Sequence, residues 1–147
     1  MPSPQLDLDS FLPYRLSVLS NRISQSIARL YAEQFQISIT EWRVLAVLGR
    51  YSGLAANEVA ERTAMDKVAV SRAVARLGER GLIARSTHDH DRRRSVLELS
   101  ANGKRIHAQI APLALEMERQ LLAGLDKDER VMLDRLLGKL SESQQRL

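Results

Sequence analysis

The sequence predicts a mainly α fold that carries one small β-hairpin. Three observations lead there. Apolar residues recur at steps of three and four over most of the 147 residues, the signature of helices with one buried face. Two strand-like stretches, LIARS and SVLEL, flank a single charged segment, THDHDRRR. Helix-start signals of the capping-box type occur at Ser38/Glu41 and at Asp126/Glu129. The length suits one domain with its own core. Aromatic residues are 4% of the chain, so that core is aliphatic.

The first helix is marked by Leu12, Leu16, Leu19, Ile23, Ile27, Leu30 and Tyr31. Pro13 is tolerated only in a first turn, which places the start near Ser10 or Phe11. The stripe is nearly heptad-spaced and needs a covering helix from this chain or from a second copy. A second helix runs from Ser38 to about Arg50, with Trp42, Leu45 and Leu48 inward, and Tyr51-Ser52-Gly53 ends it. NEVAERTA then forms a short helix that turns Val59 and Ala60 to the core. Asp66 caps the next helix, from Lys67 to about Arg80, and Gly81 follows as its terminating residue. That helix has two faces: Val70, Ala73, Val74 and Leu77 on one, Lys67, Ser71, Arg72, Ala75 and Arg76 on the other.

A short helix, a tight turn and an amphipathic helix describe a helix-turn-helix. The hairpin placed directly after it makes the order that of a winged helix, with THDHDRRR as the loop of the wing. Ser100 caps a long helix to about Gly124, bearing Ile106, Ile110, Leu113, Met117 and Leu121 on one face, and Pro112 is expected to kink it. The closing helix carries Val131, Leu133, Leu136, Leu137 and Leu140.

Charge says what the wing is for. The chain nets +4. Between Lys67 and Arg94 stand eight basic residues (Lys67, Arg72, Arg76, Arg80, Arg85, Arg92, Arg93, Arg94) and three acids (Glu79, Asp89, Asp91). That segment nets +5 and leaves −1 for the rest, so the basic excess is local, a footprint for a polyanion. Arg72 and Arg76, four apart, point the same way, with Ser71 beside them and the small Ala69 and Ala75 allowing close approach to a groove. Arginine grips guanine bidentately in the major groove. A wing arginine suits the narrow minor groove of A·T-rich DNA, with its neighbours along phosphates. Asp91 is expected to pair with a nearby arginine and fix the shape of the wing. Lys67, Ser71, Arg72, Arg76, Asp91, Arg92, Arg93 and Arg94 are therefore the candidate contacts to double-stranded DNA.

Other classes fare worse. There are no cysteines, which excludes disulfides and thiolate chemistry. No Gly-rich phosphate loop, metalloprotease motif or nucleophile elbow is present, so an enzyme is not expected, and no cofactor is called for. No apolar run approaches the ~20 residues of a membrane span, and the N-terminus lacks a basic, apolar signal. A soluble cytoplasmic protein is expected, with no membrane partner. His88 and His90 alternate in the wing, and Asp89, Asp91 and His107 could join them in a metal-responsive regulator. Solvated loop histidines are the commoner case, and no metal site is assigned.

The stretches ITEWRVLAVL, NEVAERTAMDKVAVSRAVARLGERGLI and DRRRSVLELSANG resemble the MarR family of bacterial transcription regulators. The last contains the Asp-x-Arg wing pattern as Asp91-Arg92-Arg93. The resemblance covers nearly the whole chain. It departs at Ala64, where the turn often carries glycine.

The resemblance implies a single domain over residues 1–147, in which residues 10–36 and 100–147 are dimerisation helices and residues 37–99 the winged helix-turn-helix. It implies a homodimer on a pseudo-palindromic operator, usually as a repressor, with half-sites roughly one helical turn (~34–36 Å) apart. It also implies a small-molecule effector. LPYRLSVLSNRIS, with EWRVLAVLG and TAMDKVAVSRAV, resembles a subgroup linked to aromatic-acid catabolism, some of whose members respond to aromatic acyl-CoA thioesters. The candidate effector residues are Tyr14, Arg15, Arg22, Trp42, Arg43 and His107. Arginine would pair with a carboxylate or CoA phosphate, and an aromatic side chain would stack on a ring. A constitutive or architectural DNA-binding protein without an effector is the alternative, as is a winged-helix protein-interaction module.

Overall fold

The structure is a computed structural model. It describes the backbone of residues 4–88 and 91–147, and the side chains of residues 4–86 and 95–147. Among the described residues the elements run α1 (Leu12–Phe35), α2 (Ile39–Arg50), α3 (Ala56–Thr63), α4 (Lys67–Glu79), β1 (Ile83–His88), β2 (Asp91–Leu99), α5 (Ala101–Leu122) and α6 (Lys127–Gln145). The fold is mostly helical with one antiparallel hairpin, β1-β2. No helix among the described residues is long and apolar enough to cross a membrane. Two compact units are distinguishable, Met1–Ala111 and Pro112–Leu147.

The first unit is built as the periodicity predicts. Tyr31, Val44, Leu45, Leu48, Val59, Val70, Val74, Leu77, Leu97 and Ile110 are buried in one aliphatic core. Pro13 lies in the first turn of α1. Ser38 and Glu41 close the capping box of α2: Glu41 N–H donates to Ser38 Oγ at 3.1 Å, and Ser38 N–H to Glu41 Oε1 at 3.4 Å. Ala69 N–H donates to Asp66 Oδ2 at 3.1 Å and fixes the start of α4. Gly81, at φ +70°, ends that helix.

The α5 start is pinned to the end of α4. Ser100 Oγ donates to the Gly81 carbonyl and accepts from Gly103 N–H. Any side chain at Gly103 would collide with the backbone carbonyl of Leu82. This contact brings Ile106 and Ile110 onto the core.

The α3–α4 turn resolves the Ala64 departure. Ala64 has φ +52° and ψ +34°, the left-handed conformation that glycine adopts without steric cost. The geometry of the turn is preserved and alanine bears the strain. Ala64→Gly is expected to raise stability by about 0.5–1 kcal/mol, the left-handed penalty of alanine less the extra unfolded-state entropy of glycine. Thermal or urea unfolding measures this, and a loss of stability would contradict it.

The hairpin is longer than the sequence suggested. The charged segment 87–94 reads as a loop, but β1 continues to His88 and β2 starts at Asp91. Backbone ladder bonds do not depend on apolar side chains, so a charged stretch can pair. A third segment joins through Leu54: Leu97 N–H donates to Leu54 O at 2.7 Å, and Gly53 N–H to Leu97 O at 3.0 Å.

In the second unit, Glu129 N–H donates to Asp126 Oδ1 at 2.8 Å, completing the predicted capping box of α6. Arg130 donates to the carbonyls of Leu122 and Leu125, closing the end of α5. The α5 helix continues through Pro112.

Candidate nucleic-acid interface and effector site

Helix α4 separates its two chemistries cleanly. Val70, Ala73, Val74 and Leu77 are buried, while Lys67, Ser71, Arg72 and Arg76 are exposed. Arg72 and Arg76 sit about one turn, roughly 6 Å, apart along the helix. With Ser38, Thr40 and Glu41 they line a cleft of about 260 Å³. That is below the roughly 300–1,000 Å³ of small-molecule cavities, while the basic side chains beside it are exposed.

The wing's backbone register is informative. Thr87 pairs with Ser95 and the next pair is His88 with Asp91. One step on β1 thus matches four on β2, and Arg92, Arg93 and Arg94 fall within the irregularity. The side chains of Asp91, Arg92, Arg93 and Arg94, with those of His88, Asp89 and His90, lie outside the described residues.

One basic residue of the segment has a different job. Arg80 donates from Nη1 to Gln36 O and from Nη2 to Phe35 O, both at 2.9 Å, and its Nη1 lies 4.0 Å from Glu41 Oε2. Arg80 thereby ties the end of α4 to the end of α1, where Gln36 is left-handed at φ +55°. Glu41 is only 5% exposed, and the guanidinium compensates its burial. Arg80 belongs to the scaffold.

The six candidate effector residues fall into two sets. Tyr14, Arg15 and Arg22 line a groove of about 530 Å³ along α1, together with Leu12, Leu16, Leu19 and Asp9. Trp42, Arg43 and His107 meet where α1, α2 and α5 approach. The Trp42 and His107 rings lie 5.6 Å apart, and Trp42 and Tyr31 lie 5.9 Å apart. Arg43 Nη2 donates to Ser24 Oγ at 2.8 Å. Gly49 makes room for His107: a Cβ there would fall 2.7 Å from His107 Cδ2.

Burial pushes the Tyr31 phenol up to about 12, outweighing the opposite influence of Arg43. The phenol therefore stays neutral at physiological pH. Among the described residues Arg43 has no carboxylate partner, so this aromatic cluster keeps a cation bonded to the Ser24 hydroxyl. Sequence reasoning missed Tyr31 and Ser24 here, because their contacts with α2 become visible only when the helices are packed.

Residues 35–94 match the family model described as MarR family. A probable transcriptional regulator from Pseudomonas aeruginosa is 32% identical, with a TM-score of 0.71 over 91% of this chain and 99% of that one. The chain belongs to the MarR family. A MarR/EmrR family regulator from Acinetobacter sp. ADP1 is similar throughout, at 28% identity and a TM-score of 0.88 over 97% of this chain and 100% of that one. The PcaV regulator from Streptomyces coelicolor, solved with its natural ligand, is 26% identical, with a TM-score of 0.73 over 97% and 99% of the two chains. This MarR-family chain is a DNA-binding transcription regulator with a winged-helix fold, and its relatives are regulators, not enzymes.

Proposed function

We propose that the protein is a homodimeric repressor of a pseudo-palindromic operator, released by a small aromatic acid or its CoA thioester. Ser71, Arg72 and Arg76 read base edges in the major groove, and Lys67 holds phosphate. Arg92, Arg93 and Arg94 serve the minor groove and its flanking phosphates, with Asp91 pairing among them to shape the wing. Supporting this division of labour is the exposed polar face of α4 opposite its fully buried apolar face.

The dimer follows from surfaces that one copy leaves uncovered. Leu133, Leu136, Leu137 and Leu140 form a stripe at helical spacing, and α6 has no buried residue. Leu12, Leu16 and Leu19 are exposed on α1. Apolar stripes of this kind are covered by partner helices. Residues 10–36 and 100–147 supply the dimerisation helices in this proposal, flanking the DNA-binding region 37–99.

The Trp42, Arg43 and His107 cluster supports this effector class. A cation with no carboxylate partner among the described residues, beside tilted aromatic rings, suits an aromatic acid: Arg43 takes the carboxylate and Trp42 the ring. PcaV supports a ligand-responsive scaffold, since it was solved with its natural ligand. Arg15 and Arg22, exposed on α1 beside the apolar stripe, offer charge for the phosphates of a CoA tail at the rim of the dimer seam.

Trp42 is the chain's one tryptophan and therefore reports on this cluster directly. Titration of hydroxybenzoates, benzoate and their CoA thioesters is expected to change its fluorescence saturably with one of them. Arg43→Gln is expected to weaken that binding about 10–100-fold, the loss of one charge-assisted hydrogen bond of roughly 1.5–3 kcal/mol. Equal affinity in the variant would remove Arg43 from the site.

A further inference from the structure

A second cationic cluster stands at the ends of α2 and α3, on residues outside the recognition helix and the wing. The Arg50 guanidinium carbon is 5.0 Å from the centre of the Tyr51 ring, and that of Arg62 is 4.0 Å from it. Arg50 and Arg62 are exposed, and Tyr51 is 39% exposed. Among the described residues neither guanidinium has a carboxylate in ion-pair range. Two cations gathered on one ring repel each other. The ring quadrupole offsets part of that repulsion, and an anion shared between them would offset the rest.

The site is joined through the backbone to the base of the wing. Tyr51 caps α2, and two residues later Gly53 and Leu54 bond to Leu97 at the base of the wing. Arg62 stands in the last turn of α3, the first helix of the helix-turn-helix. The first helix of such a motif crosses the nucleic-acid backbone while the second enters the groove. We propose that Arg50, Tyr51 and Arg62 form a phosphate clamp that grips the DNA backbone flanking the bases read by α4. The inference rests on the DNA-binding role of the family and adds a contact surface to it. The clamp carries no sequence information and acts through the salt-dependent part of binding.

The test is the salt dependence of binding to a random-sequence 30-base-pair duplex, which isolates phosphate contacts from base reading. Fluorescence anisotropy over a range of KCl compares the wild-type dimer, Arg50→Gln/Arg62→Gln, and Lys67→Gln, the phosphate contact assigned to α4, as a reference. Each lost phosphate contact flattens the slope of log K against log salt by about 0.9. The clamp variant is expected to lose about 2 from the slope per engaged protomer, and to bind at least tenfold more weakly at moderate salt. Tyr51→Phe, which keeps the ring, is expected to retain the wild-type slope, and Tyr51→Leu to lose part of it. All these side chains are exposed, and unchanged melting temperatures would separate binding from folding. An unchanged slope in the clamp variant, beside a reduced slope in the reference, would overturn the clamp and leave DNA binding standing. Absence of binding by every form would remove both.

Discussion

Leu136→Glu combined with Leu140→Glu is expected to convert the protein to monomer and to abolish tight operator binding. Both leucines lie on the exposed stripe of α6, at 49% and 40% exposure. In the proposed dimer they are covered by the second copy. An unpaired carboxylate forced into such an interface costs several kcal/mol, and twofold symmetry imposes it at both copies. The dimer dissociation constant should therefore rise by at least about a thousandfold. Sedimentation velocity at micromolar concentration reads this directly. The helical circular dichroism should persist, because no residue of α6 is buried within its own chain. A dimer that survives both substitutions would mean that another surface joins the copies.

Arg72→Ala combined with Arg76→Ala is expected to leave the dimer and its melting temperature intact. It should lower operator affinity by roughly 100-fold or more, since each specific base contact is worth about 1–3 kcal/mol. The side chains point away from Val70, Ala73, Val74 and Leu77, so the core is untouched. Discrimination between operator and random DNA should fall with affinity, and this separates base reading from simple loss of charge. Equal losses on both DNAs would demote the two arginines to phosphate contacts.

Much of this arrangement was legible in the residues. Local signals did best: the 3.6-residue period of α4, the Ser38/Glu41 and Asp126/Glu129 boxes, the Asp66 cap and the Gly81 stop each appear where the spacing put them. All depend on neighbours within one or two turns. What the sequence concealed depends on long separations. Arg80 reads as one more cation of a basic segment, yet it is committed to carbonyls 44 and 45 residues away. The α1 stripe reads as one continuous face, whereas Tyr31 is buried and Leu12, Leu16 and Leu19 are not. Leu54 joined the sheet through a single bridge too short to show alternation. Tyr51 ended a helix in the sequence reading, and its two arginine neighbours come from different helices. The wing extends beyond its apolar residues because charged residues can pair through their backbones as well as apolar ones do.

The central claim is that one molecule joins operator binding to the presence of an aromatic acid. The most direct test is anisotropy of the wild-type dimer on labelled DNA from upstream of its own gene, titrated with the aromatic acids and CoA thioesters that change Trp42 fluorescence. The account predicts specific, salt-sensitive binding that one of these compounds weakens at least tenfold, with the loss suppressed in Arg43→Gln. Specific binding that none of them alters would contradict the effector assignment and make the protein a constitutive DNA-binding factor.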